Sequence, residues 1–180
     1  HGGTHFISET IESVKVIDEQ GNVKIIENKD LKAGYDTSRF HNTNEVIVSA
    51  KFRLFRGDVE KAKHVNQEWA IRKAVQPSNS LGCIFQNITN EQKEKLGYPT
   101  TSAGYIVEHV INKKGYQIGD AKISEKHAAF IENIGKATAK DYLETIKTII
   151  RETKEKTGIT LKPEIFFLGF EDQELEGLTP

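Results

Sequence analysis

Hydrophobic and polar residues alternate along the chain with two different periods, and the change of period divides the sequence into two parts. Glu12–Ile17 and Val23–Ile26 alternate as strands around the polar segment Asp18–Asn22, which predicts a β-hairpin. From Glu45 to Phe55 the alternation is regular, which is typical of a half-buried antiparallel strand. The apolar face of this strand would carry Val46, Val48, Ala50, Phe52 and Leu54.

Helical spacing follows the third strand. Asp58 is a suitable N-cap for a helix that ends near Val75, and the segment Gln76–Ser80 has the composition of a linker. The apolar residues of this helix would form one inward stripe, made of Val59, Ala62, Val65 and Trp69. Two further helices are predicted over Asn90–Leu96 and Ser102–Asn112.

Strands and the longest helix alternate in the C-terminal part. Strands are predicted around Ala121–Ile123 and Ala128–Ile131. Thr138 and Asp141 form a capping-box pattern that opens a long amphipathic helix, and Gly158 is placed to end that helix.

Together these elements predict an α+β fold of two parts. Residues 1–75 would form an antiparallel-sheet lobe, and residues 80–170 would form a mixed α/β domain. Ile159–Leu168 would be the last strand of this domain. Residues 171–180 are rich in acidic side chains and are expected to form a loose tail.

Composition and charge narrow the class of protein. The net charge is −1 and no basic stripe is present, which argues against a nucleic-acid partner. No apolar run approaches the roughly 20 residues of a membrane span, so we expect no membrane partner. One cysteine and no signal peptide favour a reducing cytoplasm. The sequence has no methionine and begins with His1, so we expect a fragment. We also expect a monomer.

Cys83 follows Gly82 where the two parts meet, which is where a cleft would place chemistry. A lone cysteine is nevertheless more often a small buried hydrophobic residue. A papain-like pair with His109 or His127 lacks a local signature, and glycines between the two N-terminal histidines argue against a metal site there. No dinucleotide or P-loop glycine motif is present. The residues alone indicate an α+β protein with no metal and an unknown ligand.

A series of short motifs resembles one family. In chain order they are Gln76–Pro77, Gly82–Asn87, Ala103–Glu108, Lys114–Ala121, Ser124–Asn133, Ala137–Asp141 and Leu161–Ile165. They resemble the C-terminal half of UDP-N-acetylenolpyruvoylglucosamine reductase (MurB). Residues 12–17, 35–40 and 49–58 resemble the second lobe of that family's FAD-binding, PCMH-like domain. The resemblance covers nearly the whole chain.

The resemblance implies an enzyme that uses NADPH to reduce FAD and then passes a hydride to the enolpyruvyl group of a UDP-sugar. The product would be UDP-N-acetylmuramate, a precursor of peptidoglycan. By this resemblance Cys83 is the proton donor, where many members carry serine, and Glu164 lies at the substrate carboxylate. Asn87, Gln86 and Tyr35 fall on substrate-contacting positions.

The sequence departs from the family in two places. The family's tyrosine is followed by an arginine that acts in the site, whereas Tyr35 is followed by Asp36, and Arg39 is the nearby guanidinium that could replace it. The first FAD-binding lobe is expected upstream, so that Gly3 and Thr4 would be the end of its cofactor-binding region. A non-catalytic fragment, a nucleotide-sugar-binding module and another flavin oxidoreductase of the same fold remain alternatives.

Overall fold

The computed structural model describes residues 6–178, which form two compact units. The first unit extends to Ile71 and the second begins at Arg72, so the division falls within a helix. The predicted linker lies a few residues further along the chain. Gly3 and Thr4, the predicted cofactor-binding residues, lie outside the described residues.

The first unit contains a three-stranded antiparallel sheet. Its strands are β1 (Ile11–Ile17), β2 (Val23–Glu27) and β3 (Val46–Phe52), in the spatial order β2–β1–β3. The predicted hairpin is confirmed, because β1 and β2 are consecutive antiparallel partners. Its small core consists of Val14, Val16, Ile26 and Leu31.

β3 differs from its prediction in the side chains that it turns toward this core. Ala50 pairs with Val14 but Ile47 pairs with Val16, so Val48 is an extra residue in a β-bulge. The bulge reverses the alternation and places Ile47 and Ala50 on the same face of the sheet. The prediction of one uninterrupted apolar face is therefore wrong, and so is that of half-burial, because every residue of β3 is exposed.

Helix α1 (Val59–Lys73) follows β3. Its predicted N-cap is confirmed, since Asp58 Oδ1 accepts the backbone N–H groups of Glu60 and Lys61 at 2.9 and 3.0 Å. The predicted inward stripe is wrong, because no residue of α1 is buried. Helical periodicity shows which residues share a face, but burial also requires a packing partner.

The second unit contains a four-stranded antiparallel sheet. Its strands are β4 (Ser80–Cys83), β5 (Gln117–Ile118), β6 (Ala121–Ile123) and β7 (Phe130–Asn133). Their spatial order is β4–β7–β6–β5. β4 is therefore at one edge of the sheet although it comes first in sequence.

Three helical segments accompany this sheet: α2 (Asn90–Leu96), α3 (Ala103–Tyr105), which continues as a π-helix over Ile106–Val110, and α4 (Ala139–Thr157). The capping box of α4 is confirmed, because Thr138 Oγ1 accepts the N–H of Asp141 at 3.2 Å and Asp141 Oδ2 accepts that of Thr138 at 2.8 Å. α4 then packs four aliphatic side chains into the core of the second unit: Leu143, Ile146, Ile149 and Ile150.

The segment after α4 differs from its prediction in two respects. Ile159–Leu168 is not a strand, because its only β-bridge among the described residues joins Pro163 to Phe85. Proline has no N–H group to donate, so it interrupts a ladder. The described part of the tail, residues 171–178, is not loose either: Leu178 is buried in the core at 2% exposure. Its apolar side chain decides this outcome despite the acidic residues around it.

Candidate functional site

Cys83 ends β4 and pairs with Phe130 of β7 across the sheet. Gly82 immediately before it has a φ of +89°, and a Cβ built on it would have no neighbour within 4 Å. Glycine is thus required at this position by backbone conformation, not by lack of space. The irregularity breaks the register between Ser80 and Cys83 and turns the chain out of the strand directly after the half-buried thiol.

Glu164 is brought beside this turn by a short antiparallel pairing. The backbone N–H of Glu164 donates to the carbonyl oxygen of Ile84 at 2.9 Å, and the N–H of Gln86 donates to that of Lys162 at 2.9 Å. These two hydrogen bonds bring together segments that are far apart in sequence. The resemblance predicted that Cys83 and Glu164 act in one site, and within the second unit they are neighbours.

The environment of Cys83 favours the protonated thiol. Burial raises the pKa of Cys83, and the negative charge of Glu164 raises it further, while Lys73 opposes them. An unperturbed thiol has a pKa of about 8.5, so one with a raised pKa keeps its proton at neutral pH. Cys83 therefore has the properties of a proton donor and lacks those of a thiolate nucleophile.

Asn87 has a structural role besides any contact with substrate. Its side-chain Oδ1 accepts the backbone N–H of Ala103, the first residue of α3, at 3.2 Å. Gly104 follows, and a Cβ there would lie 3.1 Å from the backbone nitrogen of Ala129. The Ala103–Gly104 motif thus lets α3 approach the backbone of Ala129, just before β7, and Asn87 holds the start of that helix.

Arg39 belongs to the first unit and makes a bidentate ion pair. Its Nε donates to Glu45 Oε2 at 3.2 Å and its Nη2 donates to Glu45 Oε1 at 3.0 Å. Thr43 Oγ1 donates to Glu45 Oε2 at 3.1 Å. Sequence reasoning missed Glu45, because no helical or strand periodicity connects two residues on either side of an irregular loop.

Tyr35 and Asp36 form the tip of an exposed turn, closed by a hydrogen bond from the N–H of Gly34 to the carbonyl oxygen of Thr37 at 3.0 Å. Asp36 has a φ of +51°, in the left-handed region. Aspartate tolerates this conformation better than most non-glycine residues. The turn gives a conformational reason for aspartate at the position where the resemblance predicts arginine.

The comparison with known proteins is consistent with this arrangement. The profile of the family described as UDP-N-acetylenolpyruvoylglucosamine reductase, C-terminal domain, matches residues 74–168. The chain belongs to this family. The match includes Cys83, Glu164 and the whole sheet of the second unit.

Relatives in the same family cover both units. UDP-N-acetylenolpyruvoylglucosamine reductase of Streptococcus thermophilus is 36% identical over 91% of this chain, which spans 51% of that protein. The reductase of Streptococcus pneumoniae is 34% identical over 91% of the chain and 52% of its own length. The crystal structure of the MurB reductase of Thermus caldophilus has a TM-score of 0.70 at 28% identity, covering 88% of this chain and 53% of that one. The chain spans about half the length of the curated relatives that it matches.

Two cavities in the second unit are bordered by sequence neighbours of Cys83 and Glu164. One of about 680 Å³ is bordered by Lys162, Pro163 and Leu178 among others, and one of about 440 Å³ is bordered by Asn79, Tyr142 and Phe166 among others. Neither lining includes Cys83 or Glu164.

Among residues 6–178 no group of three or more His, Cys, Asp or Glu side chains is placed to hold a metal ion. No helix within that range is long and apolar enough to cross a membrane.

The described residues were also considered as a binding site for FAD. The first unit has an apolar cavity of about 310 Å³, whose lining includes Phe6, Leu31, Phe40 and Ile47. This lining suits an apolar ring, but the glycines of the described part of the unit are isolated in sequence and form no cradle for a diphosphate. By themselves the described residues do not fit FAD.

Proposed function

We propose that this chain carries the substrate-reducing site of a UDP-N-acetylmuramate dehydrogenase of the cytoplasm, acting as a monomer. The reaction would be the NADPH- and FAD-dependent reduction of UDP-N-acetylglucosamine enolpyruvate to UDP-N-acetylmuramate. One observation carries the proposal: the second unit holds Cys83 beside Glu164, where burial and the carboxylate raise the pKa of the thiol. Membership of the MurB family supports the type of reaction.

The roles of this chain's residues follow from the chemistry of reducing an enolpyruvyl group. The hydride for one vinyl carbon would have to come from FAD reduced by NADPH, for which the described residues alone do not form a complete site. The other carbon then carries a developing negative charge and takes a proton from the Cys83 thiol, which solvent reprotonates. A developing carbanion is a much stronger base than a thiolate, so a thiol with a raised pKa is still acidic enough to protonate it.

The substrate carboxylate next to that carbon requires hydrogen-bond donors as charge develops. We assign this role to the Arg39 guanidinium, which offers several N–H donors, and place Glu164 near the same carboxylate. Asn87, Gln86 and Tyr35 would orient the rest of the substrate. Asn87 would do so while its Oδ1 accepts the N–H of Ala103.

A second candidate function is binding of the UDP-sugar without turnover. The described residues of the first unit form no glycine cradle for the FAD diphosphate, and this observation favours the second candidate. The two candidates differ in one property, because reduction requires bound flavin and simple binding does not.

The experiment combines flavin binding with turnover. The purified chain is mixed with FAD, and the oxidation of NADPH is followed after addition of UDP-N-acetylglucosamine enolpyruvate.

The dehydrogenase is supported if the chain turns over, Cys83→Ser keeps part of this turnover and Cys83→Ala loses it. Ser80→Ala, on the same strand, is the matched control and should retain turnover. Full turnover by Cys83→Ala would remove Cys83 from the reaction. Saturable binding of the UDP-sugar without flavin binding would support the binding module instead.

A further inference from the structure

The guanidinium of Arg39 is only partly used by its ion pair. An arginine side chain has five N–H donors, and the pair with Glu45 uses one on Nε and one on Nη2. Three donors remain, and two of them lie along the edge between the two terminal nitrogens. This edge can bind a second carboxylate through two parallel hydrogen bonds.

Burial and hydrogen bonding distinguish the two partners. The Glu45 side chain is 10% exposed, whereas that of Arg39 is 27% exposed, so the carboxylate is the deeper group. Thr43 Oγ1 donates to the same carboxylate, and the backbone N–H of Arg39 donates to the carbonyl oxygen of Leu31 at 2.8 Å. Both ends of the arginine are therefore fixed, and its side chain is the more exposed partner of the pair.

We propose that Glu45 is a positioning residue for Arg39: it holds one edge of the guanidinium so that the other edge can bind the carboxylate of the substrate. This inference rests on the proposed function, in which Arg39 serves that carboxylate. Glu45 itself touches neither substrate nor cofactor. It acts by limiting the orientations that the long arginine side chain can adopt.

An effect of net charge and an effect of positioning respond in opposite directions to Glu45→Gln. The variant makes the local charge more positive, because a neutral amide replaces a carboxylate beside Arg39. If net charge governed the binding of an anionic substrate, Glu45→Gln would strengthen it. If the direction of the N–H donors governs binding and catalysis, the same variant weakens both.

Steady-state kinetics in the NADPH-oxidation assay test this difference. We expect Glu45→Gln to lower kcat/KM by about tenfold or more, with a loss in kcat and not only a rise in KM, since misplaced catalytic groups cost factors of this order. Glu12→Gln is the matched control, because Glu12 forms an ion pair with Lys51 on the same sheet. Unchanged or increased kcat/KM in Glu45→Gln, or an equal loss in Glu12→Gln, would overturn the proposal.

A second measurement does not depend on turnover. The N–H signal of Arg39 Nε is followed by NMR while the chain is titrated with pyruvate, a small carboxylate probe. A saturable shift in the unmodified chain that is lost in Glu45→Gln is expected, even if the chain has no activity. If this shift is seen in a chain without activity, the proposed function fails and the positioning role stands. No shift in the unmodified chain, or an equal shift in Glu45→Gln, overturns the positioning role alone.

A further variant covers the case in which Glu45→Gln does not fold. Thr43→Val removes the hydroxyl that donates to Glu45 and leaves both charges in place. It should weaken the pyruvate-dependent shift of Arg39 in the same direction, by a smaller factor. A Thr43→Val chain that responds to pyruvate like the unmodified chain, in the absence of a folded Glu45→Gln, would count against the proposal.

Discussion

Leu178 is expected to stabilise the second unit, although it lies in an acidic segment that resembles a disordered tail. Its side chain is 2% exposed and belongs to the main hydrophobic core. Replacing a buried leucine by alanine typically costs about 2–5 kcal/mol of unfolding free energy. Leu178 also borders a cavity of about 680 Å³, so part of its surface already lacks packing partners. We therefore expect a value near the lower limit, about 2 kcal/mol for Leu178→Ala.

Urea unfolding of the second unit measures this effect, with amide exchange in α4 as the local probe. For a small domain the free energy falls by about 1–3 kcal/mol per molar urea, so a loss of about 2 kcal/mol lowers the midpoint by about 1 M. The matched control is Leu168→Ala, because Leu168 is the same residue type in the same C-terminal region after α4 and is 86% exposed. Surface substitutions of this kind usually change stability by less than about 0.5 kcal/mol.

Two results would refute the reasoning. If Leu178→Ala left the midpoint unchanged, the segment would not be part of the folded core. If Leu168→Ala lowered the midpoint as much as Leu178→Ala, the loss would come from the general hydrophobicity of the segment and not from burial at one position.

Three further predictions concern charges and caps. Glu164→Gln should lower the pKa of the Cys83 thiol, because it removes a nearby negative charge; iodoacetamide should then react at lower pH, and an unchanged pH profile would contradict this. Thr138→Ala should cost about 1 kcal/mol by removing the N-cap of α4, whereas the serine variant should stay close to wild type in thermal melts. The pKa of Asp18 is lowered from 3.8 to about 2, chiefly by the hydrogen bond from Lys24. Because the folded pKa lies below the unfolded one, the associated stability is present above about pH 4 and is lost as the pH falls through about 2. In an NMR titration Lys24→Met should raise the midpoint of Asp18.

Local signals predicted the parts of the fold that depend on local interactions. The hairpin and the capping box at Thr138 were predictable because each depends on residues close together in sequence. The bulge at Val48 was not, since it appears only when β3 is aligned with β1. The same holds for Ile159–Leu168, which has strand-like composition but lacks a partner strand over most of its length. Burial of Leu178 likewise depends on contacts that no sequence window contains.

For the candidate site the limits are similar. Cys83 after Gly82 could be singled out from sequence, but its proximity to Glu164 came only from the resemblance and depends on a long-range backbone pairing. The partner of Arg39 was missed because charged residues in loops pair according to loop conformation. The hydrogen bond from Ala103 to Asn87 was missed for the same reason.

The pairing of the chain around Ile84 with the chain around Glu164 affects how the protein is made. A ribosome that adds about 5–20 residues per second needs roughly 4–16 s to proceed from Cys83 to Glu164. During this interval the backbone groups of Ile84 and Gln86 have been synthesised, but their partners at Lys162 and Glu164 have not. Unpaired backbone groups of this kind can pair with neighbouring molecules. The segment around Glu164 thus completes the candidate site and also covers backbone groups that the growing chain leaves unpaired until then.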